Sequence, residues 1–233
     1  MSESDHSKVF VIIPAYNEEN SIGKVVLALP LQLIQEIIVV NNNSSDQTSV
    51  VASRAGATVL DENIAGYGRA CLKGLAHLKD KARDEDIVGF LDGDFSDFPE
   101  ELALLIRPIQ DEDIDLVIGS RALGNKERGS MTIPQIFGNW LAVKMIYFIY
   151  KHRFTDLGPF RAIKFGALKK LKMIDQNYGW TVEMQVKALK NGLKCVEVPV
   201  SYRRRIGVSK VSGTVKGTFM AGYKIITTIL KYS

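Results

Sequence analysis

The 233-residue chain is poor in the features that mark several protein classes. It has two cysteines, Cys71 and Cys195, far apart and without metal-ligand spacing. That excludes a disulfide framework and points to a reducing, cytoplasmic compartment. The opening MSESDHSK has no apolar core, so no secretory signal is expected. Three histidines, at 6, 77 and 152, fall in no motif and carry no expected role. Long apolar runs are also missing. The two best candidates, IPQIFGNWLAVKMIYFIY and GTFMAGYKIITTIL, are interrupted by Gln135, Asn139 and Lys144 and by Lys224. Neither supplies the roughly 20 apolar residues of a spanning helix; the chain is expected to lie on a membrane at most, on its cytoplasmic face. From Ser201 onward there is no Asp or Glu, against Arg203, Arg204, Arg205, Lys210, Lys216, Lys224 and Lys231, although the whole chain carries only +4. Such a tail suits phosphate, an anionic surface or plain solvation. It carries no recognition module for nucleic acid, so none is expected as partner.

What is present is a β/α alternation. Short apolar runs at Val9 to Ile13, Glu36 to Asn41, Ala57 to Leu60, Ile87 to Leu91 and Leu116 to Gly119 read as buried parallel strands. Helical patterns fit between them at Ser21 to Ala28, Ser45 to Ala55, Gly68 to Leu78 and Pro99 to Ile109. The expected fold class is α/β, a Rossmann-like three-layer sandwich on a mainly parallel sheet, in one domain. The second half predicts helices at Pro134 to Tyr150, Phe165 to Leu171, Trp180 to Asn191 and Thr218 to Lys231, and a strand at Leu193 to Val198. The last helix carries a stripe of Phe219, Tyr223, Ile226 and Leu230, which suits either packing on the sheet or membrane contact.

Ligands of such sheets sit beyond the carboxyl ends of the strands. Those ends read PAYNEE, NNNSSDQT, DGDFSD and GSRALG. Asp92 and Asp94, one residue apart on an extended segment, would point their carboxylates the same way and could hold Mg²⁺ or Mn²⁺ against phosphate oxygens. Asp97, with Pro99 and Glu100 following, reads instead as a helix N-cap with a capping box.

Seven motifs in order, IPAYNEE, VVNNNSSDQT, LDGDFSDFPE, IGSRALG, TDLGPFRAI, GWTVEMQ and VPVSYRRRIGVSK, resemble the inverting family 2 glycosyltransferases of GT-A fold, and among them the dolichyl- or polyprenyl-phosphate sugar synthases. The resemblance covers about Val9 to Lys210. It implies a nucleotide-sugar half over about residues 8–130 and an acceptor half over 131–212; the stripe of the last helix adds an amphipathic helix over 213–233. It implies that Pro14, Tyr16 and Glu18 line the nucleotide pocket, that Asp92 and Asp94 hold the metal, and that Arg121, Arg203, Arg205 and Lys210 clamp phosphates. Asp156 and Arg161 are placed near sugar and acceptor, and Trp180 and Glu183 against donor or acceptor. Read as residues alone, Asp156 could cap or pair with Arg161 or Arg153, Trp180 could be core, and Glu183 could be an exposed partner of Lys187. Arg203 to Arg205 alternate sides if extended, leaving one or two for the site.

Departures from the family pattern matter. Asn41, Asn42 and Asn43 stand where paired aspartates are usual, and an amide's donor and acceptor complement uracil, which favours a UDP-sugar. Ser96 occupies a position where some members have Gln, and Pro159 stiffens the TDLGPFRAI turn. A lipid phosphate is ionised at neutral pH and needs no general base, unlike a sugar hydroxyl. The expectation is therefore transfer to a polyprenyl phosphate. The alternatives are a soluble transferase to a hydroxyl acceptor, with Asp156 or Glu183 as base, and a nucleotide-sugar binder without turnover.

Overall fold

The computed structural model describes residues 7–207 and 215–232. Seven strands form one sheet: β1 (Val9–Ala15), β2 (Glu36–Asn41), β3 (Thr58–Asp61), β4 (Ile87–Phe90), β5 (Leu116–Ser120), β6 (Arg161–Lys164) and β7 (Cys195–Pro199). Their spatial order is β3-β2-β1-β4-β6-β5-β7. Every pairing is parallel except those of β6, which runs antiparallel to both β4 and β5. The expected parallel core is there, and β6 is an addition that periodicity did not show.

The strand pattern explains the layers. Alternate residues of β1 and β2 point to opposite faces. Phe10, Ile12, Ile38 and Val40 enter one apolar cluster, while Val9, Val11, Ile13, Ile37 and Val39 enter the other. The second cluster is closed by α1 (Ile22–Ala28), α2 (Thr48–Arg54) and α4 (Leu102–Asp111). The first is closed by α3 (Tyr67–Leu78), α5 (Ile133–Tyr150), α6 (Phe165–Leu171), α7 (Trp180–Lys190) and α8 (Val215–Tyr232). These are the three layers. α2 starts three residues later than the sequence pattern suggests, because Asp46 first turns the chain, its Oδ1 accepting the Thr48 N–H at 3.0 Å.

Asp97 and Glu183 depart from expectation. Asp97 does not cap a helix: the following 3₁₀ turn (Pro99–Glu101) is preceded by Phe98, with no side-chain cap, and Asp97 is buried in an isolated bridge with Tyr202. Glu183 is not an exposed partner of Lys187; the pair exists, at 2.6 Å, but the carboxylate is fully buried. No helix among the described residues is long and apolar enough to cross a membrane. Cys71 and Cys195 are both free. Lys210 and the side chains of Lys216 and Phe219 lie outside the described residues.

Candidate active site

The carboxyl ends of β1, β2 and β4 open into a cleft of about 540 Å³. Pro14, Tyr16, Glu18, Asn42, Asp92, Asp94, Arg121 and Arg205 line it, and so do Gly66 and Tyr67 at the start of α3. Its far wall is made by residues of α5, including Pro134, Gly138 and Asn139, and by Gly222 and Ile225 of α8. α3 comes close to the loop before α7 because Gly68 has no side chain: a Cβ there would overlap the Asp175 carbonyl oxygen.

The two aspartates converge through a turn and not through strand alternation. β4 ends at Phe90, and the chain bends at residues 93–95, with Phe95 in the left-handed region at φ 61°. Asp94 Oδ1 accepts the Ser96 N–H at 2.9 Å, which holds the bend. The basic run then lies against this loop. The Arg203 N–H donates to the Ser96 carbonyl and the Ile206 N–H to the Asp94 carbonyl, each at 2.9 Å. That pairing fixes which arginine faces the cleft. Arg205 reaches Asp94 Oδ2 at 3.0 Å and Glu18 Oε1 at 3.3 Å. Arg203 lies behind the loop, its guanidinium over the rings of Phe95 and Phe98 and its N–H groups on the carbonyls of Phe95 and Asp97. It braces the aspartate loop and does not line the cleft. Arg204 turns the other way, onto the Arg128 carbonyl.

The electrostatics around the aspartates are unbalanced. Asp92 Oδ1, Ser96 Oγ, Asp97 Oδ1 and the Tyr67 hydroxyl are buried without a hydrogen-bond partner. Burial, and next the negative charge of Asp94, push the Asp92 carboxyl up to about 7. Burial, and next the charge of Asp92, drive Asp97 and Tyr67 well above their ordinary values. A group of carboxylates this short of positive charge favours a cation.

Other expected site residues lie elsewhere. Asp156 is fully engaged with Arg121: its oxygens accept from the backbone N–H, Nε and Nη2 of Arg121 at 2.7–2.8 Å. It positions the arginine, whose guanidinium also sits over the Tyr202 ring. Arg161 is fully buried on β6, where it donates to the carbonyls of Leu157, Gly158 and Thr181. Burial lowers its pKa to about 10, so it stays charged at neutral pH, yet it does not reach the cleft. Trp180 is core, packed against Phe90. Glu183 accepts from the N–H groups of Ile174 and Asp175, from Lys187 and from the Tyr232 hydroxyl. It ties α8 to α7 and does not line the cleft.

The asparagines also differ from expectation. Asn42 donates to the carbonyls of Glu62 and Ile64 and accepts from the Gly66 N–H. Asn41 bonds to Asp61 and to the Ser44 N–H, and Asn43 is exposed at φ 61°. The Asn41 and Asn42 amides hold the β2, β3 and α3 ends together and are not free to pair with a uracil edge. Tyr67 and Gly66 are cleft residues that motif reading missed; the only signal was the glycine pair flanking an aromatic at a helix start.

This architecture is shared with solved structures. A glucosyl-3-phosphoglycerate synthase of Mycobacterium tuberculosis, crystallised with Mn²⁺, UDP and glucosyl-3-phosphoglycerate, superposes with a TM-score of 0.75 at 22% identity, over 97% of this chain and 80% of that one. The fold is that of the GT-A class. Residues 10–172 match the family described as glycosyl transferase family 2, and the chain belongs to that family. A glycosyltransferase of unassigned activity from M. tuberculosis is 34% identical over 216 residues, 91% of this chain and 94% of its own length. A UDP-N-acetylglucosamine–dolichyl-phosphate N-acetylglucosaminyltransferase of Methanococcus voltae is 29% identical, over 95% of this chain and 94% of its own length.

Proposed function

We propose that the protein transfers a sugar, with inversion, from a UDP-sugar to a polyprenyl phosphate, using Mg²⁺ or Mn²⁺. One observation carries the acceptor class. The carboxylates lining the cleft among the described residues, Glu18, Asp92 and Asp94, follow β1 and β4, where the nucleotide-sugar is assigned in this reading, and the two expected bases, Asp156 and Glu183, are consumed in internal hydrogen bonds. A hydroxyl acceptor needs a base within hydrogen-bond reach. A phosphate monoester arrives ionised. The Methanococcus voltae relative, which by its name acts on dolichyl phosphate with a UDP-sugar, supports the same reading of donor and acceptor.

The aspartate loop fits a divalent ion. Asp92 offers an unpartnered oxygen, Asp94 a second carboxylate, and together they lack compensating charge apart from Arg205 and the more distant Arg121. Asp92 and Asp94 would hold the ion, which would supply Lewis-acid neutralisation of the departing diphosphate. Tyr16, 44% exposed at the end of β1, offers a ring face to the nucleoside. Arg205 and Arg121 bring fixed guanidinium forks to the phosphates of donor and acceptor. Residues up to about 130 supply the donor side, and α5 and α8 the acceptor side.

The test is incubation with Mn²⁺, a panel of UDP- and GDP-sugars, and either a short-chain polyprenyl phosphate or 3-phosphoglycerate, the product being followed by mass. A glycosylated lipid phosphate from a UDP-sugar is expected. Product only from 3-phosphoglycerate, or only from GDP-sugars, would overturn the acceptor or the donor assignment respectively. Asp156→Asn separates positioning from base catalysis. It is expected to lower kcat by about ten- to a hundredfold through a misplaced Arg121, with the shape of the pH–rate profile kept. Disappearance of the acidic limb in that variant would instead make Asp156 the base.

A further inference from the structure

α5 conflicts with its own composition. A helix apolar on every side belongs in a core or in lipid. Yet among its 18 residues only Ala142 and Ile146 are buried. On the opposite side Ile133, Ile136, Phe137, Trp140 and Phe148 are exposed by 83, 48, 60, 52 and 67%. At about 100° per residue these five fall in one stripe roughly 120° wide, with Lys144 inside it. Arg153 stands over the Tyr147 ring at the far end of the same stripe. No Asp or Glu occurs between Arg128 and Thr155, whereas Lys144, Lys151 and Arg153 do. The adjoining side of the helix, at Pro134 and Gly138, forms the wall of the cleft.

We infer that this face of α5 is the surface by which the protein docks on a lipid bilayer carrying anionic headgroups. Aromatic and aliphatic side chains enter the boundary between headgroups and acyl chains, while the basic residues meet lipid phosphates. A helix of this length, about 27 Å, lies in the plane of the interface. The absence of acidic residues favours an anionic surface over a protein partner, whose rim would be expected to present both signs. Its contiguity with the cleft gives a lipid-borne phosphate a short path to Arg121. That purpose rests on the polyprenyl-phosphate reading, but the docking surface itself does not.

The experiment is flotation with vesicles of phosphatidylcholine alone and of phosphatidylcholine with 30% phosphatidylglycerol. The wild type is compared with Phe137→Glu/Trp140→Glu and with Lys144→Glu; all three positions are exposed and outside the cleft lining. The wild type is expected to bind the anionic vesicles about tenfold better than the neutral ones. The double variant should lose at least about tenfold of that binding, with its circular dichroism and UDP affinity unchanged, and Lys144→Glu should lose an intermediate amount. Transfer to a short, water-soluble polyprenyl phosphate should survive in the double variant, while transfer to a long chain in vesicles is lost. Vesicle binding without any lipid-phosphate product would sustain the docking surface and sink the acceptor assignment. A wild type that stays off anionic vesicles, or whose stripe proves to cover a second copy in a dimer that the double variant dissociates, would overturn the docking surface.

Discussion

Asp94→Asn is expected to lower kcat by about three orders of magnitude without unfolding the protein. The substitution keeps the shape and the acceptor oxygen that takes the Ser96 N–H, so the bend at residues 93–95 is retained. What disappears is one of two negative charges available to a divalent ion, together with one of the two carboxylates that hold Arg205, Glu18 being the other. Lewis-acid stabilisation of a leaving group is worth several kcal/mol, and each 1.36 kcal/mol is a factor of about ten in rate. A loss of about 4 kcal/mol therefore gives the thousandfold effect. The check is kcat at saturating donor and Mn²⁺, beside a thermal melt. Below saturating Mn²⁺ the loss should be larger still, since Asp92 alone remains to hold the ion. Activity within tenfold of the wild type would remove the aspartate pair from the chemistry.

The largest effect on stability is expected at Arg161, a residue whose motif points to the substrate and whose position does not. Its guanidinium serves the carbonyls of Leu157, Gly158 and Thr181, bringing the turn before β6 and the first turn of α7 to one point. Arg161→Ala leaves these oxygens without their charged donor and opens a void where a fully buried side chain stood. Unsatisfied buried acceptors and a large-to-small cavity each cost on the order of 1–3 kcal/mol or more. The sum is about 3–5 kcal/mol, which for a domain of this size lowers Tm by about 10 °C. Arg161→Lys should rescue little, because one ammonium cannot reproduce a planar fork. Denaturant melts and donor KM distinguish the roles. A residue that bound substrate would raise KM and leave the melt unchanged.

The parallel sheet was legible because each buried strand is a short apolar run between polar punctuation, and β1 to β5 and β7 were readable as such. β6 was not, because a four-residue strand beginning with arginine has neither alternation nor an apolar run. Its identity as a strand depends on antiparallel pairing with β4 and β5, both distant in sequence. The same kind of non-local contact decided the site. Asp-Phe-Pro-Glu is a sound local capping signal, but the strand-like pairing of residues 202–206 on the aspartate loop overrides it and buries Asp97 beside Asp92. That pairing also selects Arg205 for the cleft and turns Arg203 into a brace. Alternation along the arginine run was readable; its phase was not. The apolar character of α5 could be read from composition, whereas its exposure could not, since exposure depends on how few neighbours the fold places over it.

The acceptor assignment is tested most directly by two lipids that differ in one group. The protein is supplied with Mn²⁺ and the UDP-sugar it uses, and with either a short-chain polyprenyl phosphate or the corresponding free polyprenol, and the glycosylated lipid is measured by mass. A cleft without a free carboxylate at its acceptor end should glycosylate the phosphate and leave the alcohol untouched. Equal or preferential transfer to the alcohol would mean that a base operates there, and would contradict the account.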